Sequence, residues 1–115
     1  MFFDNECYFR FLDKCEKVGI TIPIIPGIKI VTNLQQVSRL LSSKEIFGHR
    51  LPAQFHMKME ALKDKRQVGI DWATQQADEL LSKGVDCVHF FGMTNTSTIA
   101  EVVKNLNLQD RKRVE

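Results

Sequence analysis

Histidines, cysteines and a few side-chain amides are the groups from which this 115-residue chain would have to build a reactive site. His49 and His56 lie seven apart in and after a polar loop, outside metal-ligand register, and both are expected at the solvent-exposed surface. His89 stands inside an apolar run beside Phe90 and Phe91. A satisfied core histidine is the first expectation there, although it is the one histidine placed where function is credible. Cys7 and Cys15 are eight apart with Phe11 between them, and read as small buried hydrophobes on one helix face. With Cys87 they make an odd number without C-x-x-C or zinc-finger spacing, which fits a reducing cytoplasm and no metal site. No serine sits in a G-x-S-x-G elbow, and no carboxylate pair stands at strand ends to serve as acid and base. Gly27 is a lone glycine, expected to give the chain freedom in φ after Pro26, and Gly92-Met93-Thr94-Asn95 matches no phosphate-cradling pattern. Gln35, Gln36, Thr94 and Asn95 remain as polar groups able to reach a ligand. The residues offer no catalytic group.

The elements that must position these groups follow from periodicity. Ile22 to Ile28 is an apolar run stopped by Pro26-Gly27, read as a strand buried on both faces, and Asp86 to Gly92 is a second such strand. Before the first, Asp4 or Asn5 caps a helix with an apolar stripe at Tyr8, Phe11, Leu12, Cys15 and Val18, closed by Gly19. After it, Thr32-Asn33 caps a helix striped by Leu34, Val37, Leu40 and Leu41. Ser42-Ser43-Lys44 and Gly48-His49-Arg50 read as loop. Pro52 opens a helix through Phe55, Met59 and Leu62, and Lys63-Asp64-Lys65-Arg66 is a charged junction. A long helix spans about residues 66–83, with Val68, Gly69, Trp72, Ala73, Gln76, Leu80 and Leu81 inward and Gly84 at its end. Thr94 to Ser97 caps a last helix through Ile99, Val102, Val103 and Leu106. Strands alternating with helices mean right-handed crossovers and a parallel sheet covered by helices. Met1-Phe2-Phe3 reads as the stub of an earlier strand. Two strands and a stub leave apolar edges open, so the chain looks like a piece of a larger α/β fold.

Composition agrees with one ordinary globular domain: 43% hydrophobic, 26% charged, formal net charge +2. That balance gives no strong field for nucleic acid, and Arg111-Lys112-Arg113 reads as a solvated end. No signal peptide and no membrane span is visible.

Phe2-Phe3-Asp4, Tyr8-Phe9-Arg10-Phe11, Cys15, Gly19-Ile20, Pro23-Ile24-Ile25-Pro26-Gly27-Ile28, Val68-Gly69-Ile70-Asp71-Trp72, Gly84-Val85 and His89-Phe90-Phe91 together resemble, nearly end to end, the C-terminal part of the methylenetetrahydrofolate reductase family. The Ile-Pro-Gly-Ile block and the His-Phe-aromatic strand are the most specific parts. The resemblance implies a TIM (β/α)8 barrel in which Met1-Phe2-Phe3 ends strand 6, residues 22–28 form strand 7 and residues 87–91 strand 8, followed by the last helix. A complete barrel takes about 250 residues, so more than half would lie outside residues 1–115.

The implied activity is flavin-mediated hydride transfer from NADH or NADPH, through FAD, to methylenetetrahydrofolate, giving methyltetrahydrofolate for methionine synthesis. The implied setting is cytoplasmic, in an enzyme expected to be a homo-oligomer when complete. Gln36, Leu40 and Phe91 match substrate-contacting positions for the folate or the stacked nicotinamide nucleotide. Leu40 stands where some members have Phe, and Phe91 where Tyr is frequent. Asn95 replaces a frequent Arg, which removes a charged ligand contact. The pterin-holding Gln, the catalytic Glu and most FAD contacts precede Phe2 in the family, so the 115-residue chain by itself is expected to be inactive. The rival expectation is a catalytically inactive subunit or interaction module whose apolar strand edges a partner covers.

Overall fold

A computed structural model describes residues 1–42, 51–92 and 95–111. The segments 43–50, 93–94 and 112–115, with His49, Thr94 and most of the basic tail, lie outside the described residues.

Helix α1, Asn5–Lys17, starts where Asp4 accepts a hydrogen bond from the Glu6 amide at 3.0 Å. It ends at Gly19, whose φ of 82° lets the Ile20 amide reach back to the Cys15 carbonyl at 2.9 Å. Only part of its expected stripe turns inward. Tyr8 and Cys15 are buried, whereas Phe11 and Val18 are exposed. Cys7 is exposed too, correcting the shared face expected for it and Cys15. Eight residues at about 100° each leave the pair some 80° apart, so one core-facing stripe holds Cys15 alone.

The two strands are parallel neighbours, as expected, but short. Strand β1 is Gly27–Ile28 and β2 is His89–Phe90, with Gly27 opposite His89 and Ile28 opposite Phe90. The His89 amide bonds the Pro26 carbonyl and the Phe91 amide the Ile28 carbonyl, both at 2.9 Å. The run expected to be buried on both faces is buried only from Pro26 onward; Ile22 is 69% exposed and Ile25 56%. A two-stranded sheet with helices on one face cannot cover more. Met1-Phe2-Phe3 forms no strand. The Phe2 and Phe3 carbonyls accept instead from Gln76 Nε2 (3.2 Å) and Trp72 Nε1 (2.9 Å).

Helix α2, Leu34–Ser42, and α3, Ala53–Ala61, precede the long helix α4, Lys65–Ser82. The charged junction is built by two residues. Lys65 Nζ donates to the carbonyls of Met59 (2.6 Å) and Leu62 (3.1 Å), while Asp64 caps α4 through the Gln67 amide at 3.0 Å. Helix α4 is the axis of the molecule, because both apolar clusters pack on it. One joins Tyr8, Ile28, Ile30, Ile70, Ala77, Leu80, Val102 and Leu106; the other joins Phe3, Val31, Val37, Leu40, Phe55, Met59 and Val68. Serving two clusters widens its buried face to include Ile70 and Ala77, beyond the stripe expected. Helix α5, Thr96–Leu106, closes the fold. Asn107 in the left-handed region ends it and leads to a 3-10 turn, Leu108–Asp110.

Candidate functional site

The carboxyl ends of parallel strands are where a helix-flanked sheet presents loops and unpaired backbone to a ligand. Here those ends carry Ile28 into the approach to α2 and Phe90 into the approach to α5. Side chains alternate along a strand, and partners in register share a face. Gly27, His89 and Phe91 therefore stand on the face away from the helices, while Ile28 and Phe90 point into the α4 cluster.

The Phe91 ring lies over Gly27. A Cβ at that glycine would stand 2.3 Å from Phe91 Cε2, so only a residue without a side chain admits the ring. Gly27 is absent from the positive-φ glycines, Gly19 and Gly84. Its role is space rather than the freedom in φ expected for it. His89 meets the same ring edge-on, with centroids 4.7 Å apart and planes at 78°. Contrary to the expected core placement, His89 is exposed, because it lies on the sheet face without helices.

Gln36 is the third residue after the Asn33 cap of α2. Asn33 Oδ1 accepts from the Gln36 amide at 2.8 Å, and Gln36 Oε1 reaches back to the Thr32 N–H at 2.8 Å, a reciprocal cap displaced by one residue. Because an N–H must meet an acceptor, this fixes the amide with its oxygen toward the backbone and its NH₂ outward. Gln36 is half-buried, and with its oxygen engaged its NH₂ is the remaining donor group. Leu40, one turn on, is 7% exposed and packs with Val37, Phe55 and Met59. It presents little surface of its own to a planar ring. Asn95 occupies the N-cap position of α5, where its Oδ1 accepts from the Ser97 hydroxyl at 3.1 Å. The three matched positions thus sit in different surroundings: Phe91 on the open face, Gln36 in a helix cap, Leu40 in the core.

His56 pairs with Glu60 at 3.3 Å on an accessible side of α3. No group of three or more metal-ligating side chains occurs among the described residues, and no helix there is long and apolar enough to cross a membrane. A buried polar pair escaped the sequence reading. Asn5 Nδ2 donates to the Gln76 carbonyl (3.1 Å) and to Glu79 (2.9 Å), and Gln76 Nε2 to Asn5 Oδ1 (3.2 Å). Its one sequence signal is a glutamine within the inward stripe of α4.

The sequence model of the family described as Methylenetetrahydrofolate reductase matches residues 1–107. The chain is similar to "Methylenetetrahydrofolate reductase (NADH) 1" of Arabidopsis thaliana, with 25% identity over 99% of this chain and 19% of that protein. It is 30% identical to "5,10-methylenetetrahydrofolate reductase" of Escherichia coli (strain K12), over 94% of this chain and 37% of the relative. A Caenorhabditis elegans relative, "Probable methylenetetrahydrofolate reductase (NADPH)", is 29% identical over 94% of this chain and 17% of its own length. The chain spans between about a fifth and two fifths of the length of these relatives.

Proposed function

The chain belongs to the methylenetetrahydrofolate reductase family, and from that premise we propose that it supplies part of the folate-facing wall of such a reductase. In this reading β1 and β2 are the seventh and eighth strands of a (β/α) barrel, and the remaining strands belong to the length the relatives have beyond the match. The reaction served is reduction of methylenetetrahydrofolate to methyltetrahydrofolate by NADH or NADPH in the cytoplasm. When bound, the flavin supplies the relay of hydride between nucleotide and folate.

The observation that carries the reading is the exposed aromatic ring on the open sheet face; an oriented amide in the first turn of α2, the helix that follows β1, supports it. Phe91, 40% exposed over Gly27, offers a flat apolar surface to a pterin or nicotinamide ring. Gln36 directs NH₂ donors outward, suited to a pterin carbonyl. Leu40, one turn beyond Gln36, anchors α2 in the core with Val37, Phe55 and Met59. The described residues do not fit the whole of FAD. The sequence carries no glycine-rich turn into α2 or α5, and in the first turn of α2 the Gln36 amide is already taken by Asn33, so the described residues form no cradle for a pyrophosphate. The purified chain is accordingly expected to be colourless and unable to oxidise NADH. A yellow preparation with stoichiometric flavin contradicts this assignment.

The test is a titration with 5-methyltetrahydrofolate followed by amide NMR. Shifts confined to the Gln36 side chain and to Gly27 and Phe91 are expected. Perturbation elsewhere, or none at millimolar ligand, sinks the reading. Gln36→Glu is the discriminating variant. Its carboxylate still accepts from the Thr32 N–H and is favoured in the first turn of a helix, so stability is kept. It has no donor, and affinity is expected to fall about tenfold, the worth of one good hydrogen bond to a buried ligand group.

A further inference from the structure

We propose that His89 is a positioning residue of this site: its imidazole, edge-on to Phe91, sets the plane of the ring on which a flat heterocycle stacks. The inference rests on the folate-facing reading above and extends it to a residue that reading leaves without a task.

The imidazole is placed for this by the strand itself. Pairing of the His89 amide with the Pro26 carbonyl holds its backbone, and the two-residue period puts its side chain beside that of Phe91. Phe90 between them turns to the opposite face, against Ile28 and the α4 cluster. A histidine serving that core would be buried there; His89 is exposed instead, and its ring contact is with Phe91. Two surfaces then define where the Phe91 ring lies. Beneath it is the space over Gly27, which any side chain would fill. At its flank stands the imidazole at 4.7 Å and 78°, the tilted geometry in which the positive edge of one ring meets the negative face of another. Gly27 permits the ring position, and His89 selects it. An edge-to-face contact is worth about a two- to tenfold bias toward one ring placement.

The test compares wild type with His89→Ala and His89→Phe, using two readouts. A ring lying over Gly27 shifts the Gly27 Hα resonances upfield, and Phe91→Leu provides the baseline without that ring. In His89→Ala the Gly27 resonances are expected to move toward this baseline, and in His89→Phe to return, because a phenyl ring can make the same edge-to-face contact. Affinity for 5-methyltetrahydrofolate is expected to fall about fivefold in His89→Ala and to recover in His89→Phe. Unchanged Gly27 resonances in His89→Ala overturn the proposal, and so does a collapsed shift with unchanged affinity. If wild type fails to bind the folate, the folate reading falls, while the Gly27 resonances still decide whether His89 places the ring. The side chain is exposed, so the alanine variant is expected to melt with wild type; a large loss of stability would assign His89 to the fold and overturn the proposal.

Discussion

Tyr8 is the sole tyrosine, and its surroundings make it a reporter of the whole upper core. Its hydroxyl donates to the Ile24 carbonyl at 2.6 Å and its ring stacks on Phe2 with centroids 5.5 Å apart. Burial pushes the phenol above its ordinary value near 10. The ionised form is disfavoured in the folded chain, so the unfolded chain loses this proton first as pH rises. The associated stability is intact below about pH 10 and is lost as pH climbs through the raised folded value. Tyrosinate absorbance is expected to rise late and together with unfolding, and Tyr8→Phe to remove that alkaline limb at a cost near neutral pH of about 1 kcal/mol. Titration at the ordinary tyrosine value while the fold persists would refute this. At this scale, residues with local duties were legible in the sequence. Asp4, Asn33, Gly19 and Gly84 act on chain within a few positions, and each caps or terminates a helix as its type demands. The duties of Gly27, His89 and Leu40 were not, since each is set by what another segment lays against it.

Helix α4 shows the same division one level up. Its existence and ends follow from periodicity and a closing glycine, but its depth in the molecule is decided by Gly69. A Cβ there would come within 1.7 Å of the Val31 carbonyl oxygen, so the glycine lets the helix backbone press on the chain leaving β1. Gly84 differs: φ is 93° and nothing lies within 4 Å of where a Cβ would stand. Alanine at Gly84 meets only the left-handed backbone cost, about 1 kcal/mol. At Gly69 it must move a main-chain carbonyl packed between both clusters, costing about 2–3 kcal/mol. Urea unfolding of the two variants should rank Gly69→Ala well below Gly84→Ala; equal midpoints would mean that α4 can slide without penalty. The strands were legible as neighbours and as parallel, and illegible in length. An apolar run predicts burial only if a layer exists to cover it: Ile24 packs on the α4 cluster, whereas Ile22 and Ile25 meet no such layer in this chain.

For the whole molecule the consequence is a set of exposed apolar side chains around the short sheet. Ile20, Ile22 and Ile25 are exposed along the approach to β1, and Phe91 extends the surface past the strand ends. Beside it runs a groove lined by Phe9, Leu12, Ile24, Ile25 and Val85, with Lys83 and Asp86 at its margin. Solitary exposed apolar residues are ordinary, but three exposed isoleucines within six residues of the chain that leads into a short strand favour association. The 115-residue chain is therefore expected to bind an apolar dye and to sediment with a mass that rises with concentration. Placing charge on the surface separates this from imperfect folding. Ile22 and Ile25 bury little in the chain, so the double variant Ile22→Lys, Ile25→Lys should leave the melting temperature nearly unchanged, within about 0.5 kcal/mol per site. It should abolish both dye binding and the concentration dependence. A variant that melts well below wild type would show that these isoleucines already pack within a single chain. Retained association would move the sticky surface elsewhere. Loss of association with stability kept fits a sheet whose open side is built to be covered, as the barrel reading requires of the face that carries Gly27, His89 and Phe91.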